Sequence, residues 1–369
     1  MAGEYTLDAE AVSKAFARIE DELLGSMVRN LSSHRAEEDA AGIDWAQWQA
    51  AQIAELEAYA RDNALRFGPA FDALNERMDD MIAGAYSQGY AAQEAAILAA
   101  IRQGAEVAQQ EGFLRMPRER MDALIRATHS DMMRAEHATL RQAQDVYRQT
   151  IFAAQVYATS GAGTYGKAID MATRDFVAKG INGIRYRDGS MHSIREYSQM
   201  AVRTATKRAA MVAEGDARRA WGVHTIFVNY RTDACPECME WVGRVLIDDV
   251  YSGGTAEEAN EAGYPLLSEA MAQGLFHPNC RDTSSTYFEG ISELPERPTE
   301  AERARAEARE AEEQRLDAAE NNAERYERLA RFSMDMGDRA DAQARAGEWE
   351  ARAMEAAVAL AQPEEGATY

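Results

Sequence analysis

The three cysteines of this 369-residue chain lie close together in the sequence, and a histidine accompanies them. Cys235 and Cys238 form a C-x2-C pair, His277 and Cys280 form an H-x2-C pair, and 38 residues separate the two pairs. Thiolate sulfur and imidazole nitrogen are preferred zinc donors, and a two-residue spacing lets both members of a pair face one centre. Four such donors complete a closed tetrahedral site, which is structural rather than catalytic. The sequence therefore predicts a structural zinc site.

Other interpretations of these residues stay open at this point. The gap between the pairs is longer than in common zinc fingers, so ordinary reduced thiols in a folded domain are one alternative, and a disulfide formed outside the cell is another. A Cys280 nucleophile assisted by His277 would make the chain a cysteine enzyme, although no third member of such a site stands out. A nucleobase deaminase is excluded, because no His-x-Glu occurs and alanine precedes Cys235.

Short elements must position these residues. Branched and aromatic side chains predict strands over 223–230, 242–247 and 283–288. Helices are predicted over 194–220 and 257–274. The cysteines would thus lie in a small α+β module, and a metal site could hold its few strands together.

Most of the chain before the module indicates helices. Apolar residues recur at steps of three and four in the first of them: Phe16, Ile19, Leu23, Met27 and Leu31. Gly68-Pro69 predicts the end of a later helix. Aromatic residues make up 8% of the chain, so we expect thin, helix-packed cores. The fold class expected is mainly α with a small α+β domain.

The last part of the chain has a different composition. Residues 296–328 contain eleven acidic and seven basic side chains, a density that predicts exposed helices with many opposite-charge pairs. We expect two helices here, with a break near Gly337-Asp338. A hinge at Ser160-Gly163 divides the part of the chain before residue 295 into two domains. The domains expected are a helical region at 1–160, the cysteine module at 161–294 and a charged helical segment at 295–369.

Charge limits the partners of the chain. With 40 Lys and Arg against 62 Asp and Glu, the net charge is −22, which opposes a general nucleic-acid coat or a DNA-binding zinc module. A local excess of basic residues occurs between Lys167 and Arg219. Arg203, Lys207 and Arg208 are therefore candidates for contact with DNA or with an acidic protein, although a solvated helix face explains them as well.

Neither a transmembrane segment nor a signal peptide is expected from the sequence. There is no run of eighteen apolar residues, and the first ten residues lack a basic region followed by an apolar core. We therefore expect folding in the cytoplasm, where thiols stay reduced and metal binding is favoured over a disulfide.

The motifs around the cysteines resemble the phage minor capsid protein 2 family, which is related to the Mu-F-like head-morphogenesis proteins of tailed bacteriophages. The resemblance covers about residues 165–290. Its elements are Cys235-x2-Cys238-x2-Trp241-x-Gly243-x-Val245, Tyr264-Pro265, Gly274-Leu275-x-His277-Pro278-Asn279-Cys280-Arg281, Asp188-Gly189 and Tyr197-x2-Met200-x2-Arg203-Thr204-x2-Lys207-x-Ala209. The helical flanks agree with the family in general layout.

The resemblance implies a virion protein without enzymatic activity. Such a chain would be a low-copy component of the capsid interior or the portal vertex, which assists head assembly and DNA packaging through protein contacts. Its partners would be the portal protein and the major capsid or scaffolding protein, with packaged DNA and further copies of the chain as additional candidates. The alternative is a zinc-dependent or cysteine-nucleophile enzyme, nuclease-like or toxin-like, carried in the virion.

Overall fold

The computed structural model describes residues 2–41, 45–107, 118–159, 170–171, 173–174, 177–178, 180–181, 184–185, 191–278, 280–333 and 335–361. The long helices are α1 Ala2–Ala41, α2 Trp45–Arg102, α3 Arg118–Thr159, α4 Ile194–Ala220, α8 Glu300–Phe332 and α9 Met336–Ala361. The short helices are α5 Pro236–Met239, α6 Ala256–Ala262 and α7 Leu267–Ala272. The strands are β1 Ile184–Arg185, β2 Met191–His192, β3 Thr225–Val228, β4 Val245–Ile247 and β5 Ser284–Thr286. The expected fold class, mainly α with a small α+β part, is confirmed.

Within the described residues, none of the helices combines the length and the apolar character that a membrane span requires. The chain divides into two compact units, each drawn from three separate stretches of sequence. One contains Met1–Ala9, Glu76–Ser130 and Met200–Ala311, and the other contains Glu10–Asn75, Asp131–Gln199 and Glu312–Tyr369. The division into three consecutive domains stays a prediction.

The first unit contains the cysteine module and the three-stranded sheet. The strand order is β4-β3-β5, and both pairings are antiparallel. A buried apolar cluster beside the sheet includes Val228, Trp241, Leu246 and Leu267. Each observed strand is shorter than predicted, but all three lie inside their predicted ranges. The sheet therefore provides the frame of the module.

Small residues allow α2 and α4 to pack closely within this unit. Alanines at 205, 209, 213 and 217 of α4 contact Ile82, Tyr86 and Tyr90 of α2 in one buried cluster. A Cβ added to Gly89 would come within 3.0 Å of the Ala210 carbonyl oxygen. The predicted helix over 194–220 has the observed bounds of α4, and Ser193 and Glu196 form a capping box at its start.

Within its described residues, the second unit is made of helices and the β1–β2 pair. The predicted stripe of α1 is buried at Phe16, Ile19, Leu23 and Met27, whereas the side chain of Leu31 lies outside the description. Phe16 stacks on Phe71 with a ring-centroid distance of 5.8 Å. Apolar helix faces therefore form the core of this unit, as the three- and four-residue periodicity predicts.

Of the two predicted breaks in helices, the one at Gly68-Pro69 is wrong. Pro69 lies inside α2 instead of ending the helix. Its ring is exposed, so the Leu65 carbonyl that loses its helical partner lies on a solvent-facing turn. The break predicted near Gly337-Asp338 is confirmed, since α8 ends at Phe332 and α9 begins at Met336. The Asp335 carboxylate accepts the main-chain N–H groups of Gly337 and Asp338 and caps α9.

The single helix predicted over 257–274 is also wrong, since α6 and α7 occupy this range. Gly263 ends α6 in the left-handed conformation with a φ of 70°, and Pro265 follows it. The Pro265 carbonyl then accepts the main-chain N–H of Ile247. The predicted Ser160-Gly163 hinge lies outside the described residues, as do Asp188 and Gly189 of the motifs that resemble the family.

Candidate metal centre

The register of the sheet brings the two ligand pairs to the same place. Val228 at the end of β3 pairs with Ser284 at the start of β5, and the Asn229 N–H extends the ladder to the Thr283 carbonyl. Because the strands are antiparallel, the chain that leaves β3 and the chain that enters β5 emerge side by side. Cys235 follows β3 and Cys280 precedes β5, so sheet pairing alone carries both toward one centre.

Local turns then aim the four side chains. Pro236 occupies the first turn of α5, where its missing N–H costs nothing, and this short helix carries Cys238 one turn after Cys235. On the other side, Phe276 has a φ of 55°, which is unusual for a residue with a bulky side chain. This turn immediately precedes His277. The chain therefore adopts a strained conformation where it presents the imidazole.

The four predicted ligands converge. Cys235 Sγ lies 3.1 Å from His277 Nε2, Cys238 Sγ lies 3.4 Å from Cys280 Sγ, and all four donor atoms lie within 4.8 Å of one another. Donors bound at zinc–ligand distances of about 2.0–2.3 Å in a tetrahedron are about 3.3–3.8 Å apart. Three sulfurs and one imidazole nitrogen gathered within 4.8 Å therefore form a candidate site for a metal ion.

Main-chain groups around the cluster support the same assignment. His277 Nδ1 lies 2.8 Å from the Pro278 carbonyl oxygen and donates its proton there, so Nε2 is the ring nitrogen that faces Cys235 Sγ and can ligate a metal once it has lost its proton. The Asp282 N–H donates to Cys280 Sγ at 3.4 Å, and such a bond favours a thiolate. The ring tautomer and one sulfur are thus prepared for metal binding.

Hydrogen bonding within the cluster redistributes its protons. Bonds with Cys238 and Cys280 hold the pKa of Cys235 far below the usual thiol range, whereas the corresponding bonds of Cys238 raise its pKa. The hydrogen bond to Cys235 raises the pKa of His277 to about 9. Both shifts favour a thiolate–imidazolium pair of Cys235 and His277, and a metal ion bound there would replace the imidazolium proton.

This geometry bears on two alternatives from the sequence, a disulfide and a Cys280 nucleophile assisted by His277. All three cysteines are free thiols. The hydrogen bond of His277 runs to Cys235 rather than to Cys280, so the Cys280–His277 pairing considered from the sequence is replaced by a Cys235–His277 pairing. Asp233, two residues before Cys235, accepts two hydrogen bonds from Arg231 at 2.7 and 2.9 Å.

The basic residues of α4 have unequal surroundings. Lys207 is half-buried: its Nζ donates to the Cys280 carbonyl at 3.2 Å and lies 4.6 Å from the centroid of the Phe276 ring. Arg203 is half-buried, and Arg208 is exposed. Contact of these three residues with DNA or a protein stays a prediction, and Arg208 is the one whose side chain faces solvent.

Two buried charged features, one at the site and one elsewhere in the same unit, were missed by sequence reasoning. Asp282, two residues after Cys280, is 1% exposed and lies against the sulfurs. Arg218 and Asp248 form a buried ion pair at 2.9 Å, and Asp248 also accepts the N–H groups of Tyr251 and Ser252. Isolated charged residues carry no sequence signal for burial, because exposure is their usual state.

Comparison with known proteins agrees with this picture. The searches found no matching curated protein and no matching solved structure. The sequence pattern of one family, described as phage minor capsid protein 2, matches residues 4–358, which is nearly the whole chain. The chain belongs to the phage minor capsid protein 2 family.

Proposed function

We propose that this chain is a low-copy structural component of the phage head, located in the capsid interior or at the portal vertex. There it assists head assembly and DNA packaging through contacts with the portal protein and the major capsid or scaffolding protein. The observation that carries the proposal is the family match over residues 4–358. Long helices with charged outer faces, as in α8 and α9, support a role based on contacts.

We further propose that zinc links the two ligand pairs of the cysteine module. Cys235, Cys238, His277 and Cys280 would hold the ion, and the bound ion would supply a cross-link between the segment after β3 and the segment before β5. Because all four donors come from the protein, the site has no position for a reactive water. Its contribution would be stability, since a three-stranded sheet of short strands has a limited core of its own.

The metal proposal is tested by the zinc content of the purified protein. We expect about one zinc per chain by mass spectrometry, lost in the Cys235→Ala/Cys238→Ala variant together with a lower Tm. His129→Ala is the matched control, because His129 lies in the same unit and pairs with Asp79, away from the cysteines. Metal-free wild type with the same Tm as the cysteine variant would show that the thiols are ordinary core residues.

The structural role is tested in the phage that encodes the chain. Cross-linking and mass spectrometry of purified virions should join this protein to the portal or to the major capsid protein, at a copy number far below that of the latter. A phage lacking the gene should accumulate defective or unfilled heads. Normal heads and normal packaging without the protein would contradict the assembly role.

One observation favours the cysteine-enzyme alternative. The Cys235–His277 pair, at 3.1 Å and with the thiol pKa lowered, has the arrangement of an activated nucleophile. A zinc-bound Cys235 would react slowly with iodoacetamide, and chelation would speed the reaction. Fast alkylation of the protein as purified, unchanged by added zinc, would favour the nucleophile instead.

A further inference from the structure

A buried carboxylate lies beside the four-donor cluster. Asp282 is 1% exposed, and its Oδ2 lies 3.6 Å from both Cys235 Sγ and Cys280 Sγ. Its Oδ1 is buried and has no hydrogen-bond partner among the residues that the structure describes. An isolated buried carboxylate oxygen is costly, so its position needs a compensating group.

Lys207 and Arg231 act on this carboxylate through their charge, but their described hydrogen bonds go to other groups. Lys207 Nζ donates to the Cys280 carbonyl at 3.2 Å. Arg231 donates to the Arg281 carbonyl at 2.7 Å and uses its other nitrogens for Asp233. When the sulfurs are thiolates, Asp282 adds another negative charge in contact with them. A cation among the sulfurs is the group that would make this arrangement favourable.

The cysteines differ in exposure. Cys238 and Cys280 are buried, at 0% and 8% exposure, whereas Cys235 is half-buried. Alkylating or oxidising agents would therefore reach Cys235 before the other two. Loss of this thiolate would leave three donors, and Asp282 Oδ2 is the carboxylate oxygen in contact with the vacated side.

We propose that Asp282 is a fifth metal-facing donor, which takes the ligand position of Cys235 when that thiolate is lost. The proposal rests on the metal centre proposed above. Carboxylate oxygen is an accepted zinc ligand with a bond of about 2.0–2.2 Å, and it resists the oxidants that convert a thiolate to sulfenic acid. The site would thus keep its metal after damage to its most accessible ligand.

Metal titration of single and double variants tests the exchange. Cys235→Ala should still bind about one Co²⁺ or Zn²⁺, with affinity reduced about 10–100-fold, and Cys235→Ala/Asp282→Asn should lose a further factor of about 10–100. The sulfur-to-cobalt absorption of Cys235→Ala should correspond to two thiolates instead of three. Cys235→Ala/Asp233→Asn is the matched control, because it removes a nearby carboxylate that lies outside the cluster.

A second measurement keeps Cys235 in the sequence and removes its thiolate by alkylation after the metal has been bound. Zinc-loaded wild type and Asp282→Asn would be alkylated once at Cys235, and native mass spectrometry would count the zinc on the singly modified species. The wild type should retain zinc and Asp282→Asn should release it. The role of Asp282 would be overturned if alkylated wild type and alkylated Asp282→Asn kept or lost zinc equally. It would also be overturned if Cys235→Ala and Cys235→Ala/Asp282→Asn bound metal with equal affinity. An unmodified wild type that binds no metal would overturn the metal centre as well.

Discussion

Glu20 is a buried carboxyl group in the second unit, and its surroundings make stability depend on pH. The side chain is 3% exposed, and Oε1 accepts the Ile181 N–H at 2.8 Å. Burial raises the pKa of Glu20 to about 7, although Arg328 and the Ile181 N–H act in the opposite direction. The folded state therefore holds a proton at a pH where the unfolded chain has released it.

This difference fixes the sign of the pH dependence. Because the pKa is higher in the folded state, the contribution of Glu20 is full below about pH 4.5 and is lost as the pH rises through about 7. Glu20→Gln, which stays neutral, should become more stable than the wild type by on the order of 3 kcal/mol between pH 5 and pH 8. Urea unfolding of both proteins across this range measures the effect.

The control for Glu20 lies on the same helix. Glu10 is an exposed carboxyl group that pairs with Lys14, so Glu10→Gln should follow the wild type at every pH. If the unfolding free energies of Glu20→Gln and wild type changed in parallel between pH 5 and pH 8, Glu20 would be ionised in the folded protein. The charge of Arg328 would then offset the cost of burying the Glu20 carboxylate.

At the scale of elements, the contact between α4 and the loop after β4 depends on one glycine. A Cβ at Gly215 would lie 2.3 Å from Tyr251 Cβ and 2.7 Å from the Tyr251 carbonyl carbon. Gly84 is also helical, but a Cβ there meets nothing within 4 Å. The same substitution therefore has opposite expected effects at these two positions.

Gly215→Ala should destabilise the protein by about 1–3 kcal/mol, because the clash exceeds the gain in helix propensity. Gly84→Ala should stabilise it by about 0.5–1 kcal/mol. Chemical denaturation with matched m-values gives both numbers. A Gly215→Ala protein as stable as the wild type would mean that the Tyr251 loop moves away without cost.

The elements also show what could be predicted from the sequence. The bounds of α4 and the convergence of Cys235 with His277 follow from periodicity and ligand spacing, which are local signals. The continuation of α2 through Pro69 does not, because it depends on which side of the helix faces solvent. The burial of Asp282 depends on the sheet register, which no local pattern specifies.

At the scale of the whole molecule, the net charge limits how the protein can contact DNA. A net charge of −22 repels a polyanion, so binding would have to come from a local group of cations. Of the predicted contact residues, Arg208 is exposed, whereas Lys207 binds the Cys280 carbonyl. These two neighbours on α4 should therefore respond differently to removal of their charge.

We expect Arg208→Gln to weaken low-salt binding of duplex DNA and to lower the slope of log K against log salt by about 1, as the loss of one phosphate contact requires. The same change should leave the Tm unaltered, because an exposed side chain contributes little to stability.

Lys207→Gln should have the opposite effects. DNA binding should stay within error, and the Tm should fall because the Cys280 carbonyl and the Phe276 ring lose their cation. Fluorescence anisotropy at several salt concentrations and a thermal melt separate the two. Equal weakening of DNA binding by both variants would mean that the Lys207 side chain gives up its contacts with Cys280 and Phe276 to reach the phosphates. If neither variant changed DNA binding, an acidic protein surface would be the better candidate partner of α4.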